Sequence, residues 1–115
     1  MIKKTEKPWG YELLWAHTDK YVGKILFIKS GESLSLQYHK KKDETIFILK
    51  GKMNLEIKKN GRRMIKKMSE GQSFHIKPSV IHRMSALTDC YVCEVSTPEL
   101  EDVVRLEDKY GRVKS

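Results

Sequence analysis

Residues 31–51, GESLSLQYHKKKDETIFILKG, read as two short β-strands joined by a polar turn and bracketed by two glycines. Leu34, Leu36 and Tyr38 alternate with Ser35, Gln37 and His39, so the two sets face opposite sides of a strand. KKKD is a length suited to a hairpin turn. Glu44 then falls on the neighbouring strand and can face the same interior as Gln37 and His39. Along ETIFILK (44–50), Ile46 and Ile48 share a face with Glu44, and Thr45, Phe47 and Leu49 take the other. A strand apolar on both faces is expected to be covered on both faces.

Working outward, the same pattern of short strands and turns fills the chain. YELLWA (11–16) and VGKILFIK (22–29) precede the quoted stretch. KMNLEIK (52–58), RRMIKKM (62–68), QSFHIK (72–77), IHRMSAL (81–87) and CYVCEV (90–95) follow it. Met53, Leu55 and Ile57 are expected inward. Asn60-Gly61 is the strongest hairpin signal, because both residues tolerate the positive φ of a type I′ turn. The lysines and arginines of 62–68 read as a solvated hairpin face. After Thr97-Pro98 the pattern breaks, and ELEDVVRLEDKYGR has room for one helical turn. Nine or so short strands at regular spacing predict an all-β sandwich or small barrel. With 115 residues, one domain over 1–115 is expected.

Composition narrows the function classes. Hydrophobic residues make up 39% and charged residues 33%, a globular balance. The net charge of +8 favours anionic small molecules. The cations are spread along the chain with no basic stripe interleaved with aromatics, which argues against nucleic acid. No apolar run nears the roughly 18 residues of a membrane span, and MIKKTEKPWG is too polar for a signal peptide, so the expected place is the cytoplasm. Cys90 and Cys93 lie three apart on a strand, on opposite faces, and read as packing residues.

A fourth donor must come from His17, His75 or His82. His82 starts a strand just after a turn and is the best placed, while His75 reads as structural. Gln37, His39, Glu44 and His82 supply two imidazoles, a carboxylate and an amide oxygen. That set suits zinc, manganese, iron(II), nickel or cobalt. The alternative is a hydrogen-bonded polar network in a barrel mouth, without an ion.

These spacings resemble a cupin. The first cupin motif, roughly G(X)5HXH(X)3–4E(X)6G, is met by Gly31, Gln37, His39, Glu44 and Gly51, with Gln37 in place of the first histidine. The second, roughly G(X)5PXG(X)2H(X)3N, is met by Gly71 and His82. There Lys77, Ser79 and Ala86 replace the proline, glycine and asparagine, and Pro78 supplies a rigid turn. KPWGYELL, SLQYHKKKDE, VIHRM and EDVVRLEDKYGR further resemble the cupin domain of type II mannose-6-phosphate isomerases, over Lys7 to Arg112. That domain often ends bifunctional mannose-1-phosphate guanylyltransferases, whose glycine-rich phosphate loop is absent here. The resemblance implies a jelly-roll barrel, a divalent ion on the four donors and a phosphorylated sugar as substrate. Several members of that group carry extra histidines where Lys40 and Lys41 stand.

Aldose–ketose isomerisation then needs a base beside the carbonyl and a cation for the phosphate. Glu94 shares a face with Val92 and is the first candidate base. Lys24, alternating with Leu26 and Ile28, is the second catalytic candidate, because burial lowers a lysine pKa. Arg105 is the phosphate candidate. Arg83, opposite in face to His82, is expected to bind the LEDKYGR tail instead. Leu36, Tyr38, Phe47 and Leu49 need cover from the chain ends or from a second copy, and a homodimer is expected. Two other functions stay open: a sugar- or small-molecule-binding cupin without turnover, and a cupin dioxygenase or decarboxylase.

Overall fold

The computed structural model describes residues 2–113. Eleven strands, β1 to β11, form two antiparallel sheets, and no helix occurs among the described residues. They are β1 (Lys3–Lys7), β2 (Gly10–His17), β3 (Val22–Ile28), β4 (Leu36–Tyr38), β5 (Glu44–Lys50) and β6 (Lys52–Lys59). β7 (Arg62–Ser69), β8 (Ser73–Ile76), β9 (Ile81–Ala86), β10 (Cys90–Ser96) and β11 (Val104–Glu107) complete the set. One sheet runs β1-β2-β3-β10-β5-β8 and the other β11-β4-β9-β6-β7.

The sheets pack face to face around Ile28, Ile46, Ile48, Met53, Leu55, Met68, Met84 and Val92, all essentially sealed from solvent. Met53, Leu55 and Ile57 point inward as their alternation requires. Asn60 (φ 53°) and Gly61 (φ 74°) make the β6–β7 turn, with Lys59 opposite Arg62. Most of β7 is solvated, Met68 excepted. Cys90 is buried and Cys93 half-buried, and both are free.

Three expectations are corrected. Val104–Glu107 is a strand, not a helical turn: β11 pairs with β4, because the charged residues around it leave no helical apolar stripe and Val104 and Arg105 oppose Tyr38 and Gln37. Lys3–Lys7 is a further strand, held to β2 in full register; its polar composition hides an edge strand from any apolar pattern. The strand expected over 34–39 is regular only over Leu36–Tyr38. Leu34 therefore escapes the alternation and lines the interior cavity together with Ser35 and Gln37. Leu36 is buried by the chain itself, whereas Phe47 and Leu49 remain 40% and 45% exposed.

Candidate metal centre

Cross-strand register builds the site. Arg105 opposes Gln37, Gln37 opposes His82, and His82 opposes Ile57, so one row across β11, β4, β9 and β6 shares an inward face. On the facing sheet Glu94 lies between Lys24 of β3 and Ile46 of β5, and Glu44 opens β5 beside Ser96. A cavity of about 100 Å³ between the sheets is lined by Gln37, His39, Lys24, Lys42, Glu94 and Arg105, among others. It shares Lys7, Arg105 and Arg112 with an outer vestibule of about 520 Å³.

His39, Glu44 and His82 are buried and converge, with one donor atom from each lying within 4.8 Å of the others. Glu44 Oε1 is 3.3 Å from His39 Nε2 and 3.4 Å from His82 Nε2. Donors held about 2.1 Å from one tetrahedral ion sit roughly 3.4 Å apart, so the spacing fits a shared divalent ion. The tautomers fit too. His39 Nδ1 donates to the Asp102 carbonyl at 2.5 Å and His82 Nδ1 to the Val80 carbonyl at 2.9 Å. Each tether leaves the Nε2 lone pair aimed inward, the form a metal takes. Neither buried Nε2 has a hydrogen-bond partner among the described residues, a costly arrangement unless another group satisfies both. Gln37 faces the same cavity, and its Oε1 accepts from Ser35 Oγ at 2.8 Å.

The loops that present the histidines are tied together. Ser79 takes the left-handed conformation (φ 72°) where the cupin pattern has glycine, and its amide donates to the His39 carbonyl at 2.6 Å. That unusual conformation for a serine is held by the bond, and it delivers Val80 and His82 to the interior. The Asp102 carboxylate accepts from the amides of Lys40, Lys41 and Lys42 at 3.1, 2.6 and 2.9 Å. Those amides, Lys41 first, hold its pKa down at about 2. Asp102 therefore fixes the turn on its carboxylate side and His39 on its carbonyl side.

Lys42, like Asp102, carries no signal in the sequence that marks it for the site. Lys40 and Lys41 are exposed, but Lys42 is buried and its ammonium lies 3.0 Å from Glu94 Oε2 and 3.2 Å from Glu44 Oε2. Burial opposes its charge, yet Glu94 and Glu44 overcome that and raise its pKa above the ordinary lysine range. Burial also opposes the Glu44 charge, and the Lys42 ammonium, 3.2 Å from Glu44 Oε2, favours it. At Glu94, burial, then the Glu44 charge, push the pKa up despite Lys42 and Lys24. A buried, upshifted carboxyl lining a cavity has the character of a proton-transfer group.

The other candidates fall as follows. Lys24 points inward and pairs with Glu12 at 3.2 Å, so it is committed to a carboxylate. Arg105 lines both chambers, and its buried Nε lacks a partner among the described residues. Arg83 binds Glu56 at 3.1 Å and Glu107 at 3.6 Å, away from the cavity. His75 is exposed and contacts Asp43 at 2.6 Å, and His17 is exposed at the end of β2.

Comparison with known proteins agrees with this architecture. The family described as "Mannose-6-phosphate isomerase C-terminal" matches residues 1–108. The chain is 33% identical over 119 residues to "Mannose-1-phosphate guanylyltransferase ManC" of Salmonella typhimurium, spanning 98% of this chain and 24% of that protein. It is 32% identical to "Mannose-1-phosphate guanylyltransferase" of Escherichia coli, spanning 96% of this chain and 23% of that one. The chain thus spans about a quarter of the length of these relatives. In fold it matches oxalate decarboxylase of Bacillus subtilis (TM-score 0.82, 17% identity, 91% of this chain and 30% of that one). It also matches KdgF of Halomonas sp. (TM-score 0.74, 19% identity, 87% and 91%). These are cupins, and the fold here is a cupin.

Proposed function

The chain belongs to the mannose-6-phosphate isomerase C-terminal family, and from that premise we propose that it binds a divalent ion and isomerises a phosphorylated sugar between aldose and ketose. The observation that carries the reading is the pair of buried Nε2 atoms, each freed by a backbone tether on Nδ1 and facing Glu44. His39, Glu44 and His82 hold the ion, with Gln37 as the fourth donor and zinc as the first choice. A divalent ion held there would supply Lewis-acid chemistry.

The protein's own groups do the rest. Glu94 takes the proton from the carbon beside the carbonyl and returns it to the former carbonyl carbon, while the neighbouring hydroxyl proton passes to the former carbonyl oxygen. Lys42, bridging Glu94 and Glu44, fixes both carboxylates. Arg105 holds the phosphate at the passage between chamber and vestibule, where charge-assisted bonds to an oxyanion are strong. Lys40 and Lys41, which replace histidines of related proteins, are exposed and outside the cavity lining, so that departure leaves the chamber intact.

The test is incubation of zinc-loaded protein with fructose 6-phosphate in D2O, followed by proton NMR. Deuterium at C1 or C2, or mannose 6-phosphate, is expected, with both abolished by EDTA. No exchange over hours with the ion bound overturns isomerisation. A thermal shift with the same sugar would then favour the binding reading, and oxygen uptake a dioxygenase.

A second copy is proposed to cover the outer face of the six-stranded sheet. Trp15, Phe47, Leu49 and Val95 are 44%, 40%, 45% and 48% exposed there, and neither described chain end covers Phe47 or Leu49. Light scattering at micromolar concentration should give twice the 13.5 kDa chain mass. A mass of one chain contradicts the dimer.

A further inference from the structure

Away from the cavity, the sandwich is open along one side. β7 is the last strand of one sheet and β8 the last of the other, and among the described residues each pairs with one neighbour. They join through the turn at Glu70-Gly71. Towards the other end of β7 the sheets part, leaving a slot of about 500 Å³. Its walls are Ile57, Met64, Phe74 and Val80, and its rim carries Lys59, Arg62 and Lys77. Met64 is 60% exposed, and Ile65 on the outer side of β7 is 55% exposed. Lys66 Nζ lies 5.5 Å above the Phe74 ring.

Charge selects the occupant. None of Lys59, Arg62, Lys66, Lys67 and Lys77 is ion-paired among the described residues. The nearby Glu56 is already bound by Arg63 and Arg83. A second β7 laid along this edge would set these cations against their own kind, which destabilises cross-strand pairs. An acidic strand meets the opposite situation.

We propose that the β7 edge and its slot take an extended acidic segment of another polypeptide. The segment adds as a strand beside β7. Arg62, Met64 and Lys66 share the slot face of β7, so the segment's slot-facing residues, at every second position, place an apolar side chain beside Met64 and Asp or Glu beside Arg62 and Lys66. β7 has eight residues, enough for main-chain pairing along an octapeptide.

The probe is a fluorescein-labelled, capped octapeptide of sequence Thr-Glu-Thr-Phe-Thr-Glu-Thr-Val, titrated with the full chain and read by anisotropy and by amide hydrogen exchange. Saturable binding with slowed exchange over 62–69 is expected. Combined Arg62→Glu and Lys66→Glu, both on the slot face, should weaken it about tenfold or more, because charge complementarity is reversed. Met64→Asp, at an exposed position, should weaken it comparably with no change in melting temperature. N-methylation of alternate peptide amides should abolish it in one of the two frames. No binding at millimolar peptide overturns the proposal. So does binding that survives Met64→Asp and both methylated frames, or that polyglutamate or an oligonucleotide matches, since each marks unspecific charge attraction.

Discussion

Lys42→Met is expected to cost about 3–5 kcal/mol of unfolding free energy, the usual penalty for leaving a buried charge without its partner. The substitution keeps the length of the stem and removes the ammonium that lies between Glu44 and Glu94. Both carboxylates are almost fully buried, so water cannot replace the lost contact. Against a typical domain stability of about 5–15 kcal/mol this is a large fraction. Urea unfolding measures it. Lys40→Met, two residues earlier and exposed, should stay within about 0.5 kcal/mol. Adding Glu94→Gln to Lys42→Met removes one orphaned charge and should recover part of the loss. Equal costs for Lys42→Met and Lys40→Met would show that the buried bridge carries no stability.

Glu94→Gln is expected to lower the rate of deuterium exchange into the sugar by about 10²–10⁴-fold, the range for loss of a positioned acid–base group. The amide keeps the size of the side chain but cannot take a proton. Lys42 retains Glu44, so ion affinity should hold. Affinity kept and exchange lost places Glu94 in proton transfer. Exchange unchanged moves the base elsewhere, and a parallel loss of ion binding makes Glu94 part of the ion's support instead. Lys24→Met, by contrast, breaks a pair with Glu12 that lines the same cavity. Its effect on exchange, compared with that of Glu94→Gln, separates the two candidates.

What was legible in the sequence follows from how local each feature is. Gln37 lies on β4, His39 one residue past its end, and Glu44 one turn further on, so the alternation of the stretch marks the three for one interior. His82 is distant in sequence, but the turn before it and the cupin spacing mark it. The inward aim of Glu94 follows from its apolar alternate partner Val92, both on β10. Lys42 was not legible, because three consecutive lysines look like a solvated turn and only the third folds under. Asp102 was not legible either. Its bonds to the amides of residues 40–42 span some sixty positions, and nothing in its own neighbourhood signals them. β1 and β11 escaped because short polar edge strands carry no apolar period.

The most direct test of the central claim is a cobalt(II) titration of metal-free protein, read by visible absorption and by competition with a chelator of known affinity. One ion per chain is expected, with the visible ligand-field bands of cobalt(II) bound to imidazole and carboxylate. His82→Ala is expected to lose more affinity than the roughly 10–100-fold that supporting residues cost. No stoichiometric binding, or His82→Ala binding as tightly as the unaltered chain, would contradict the claim.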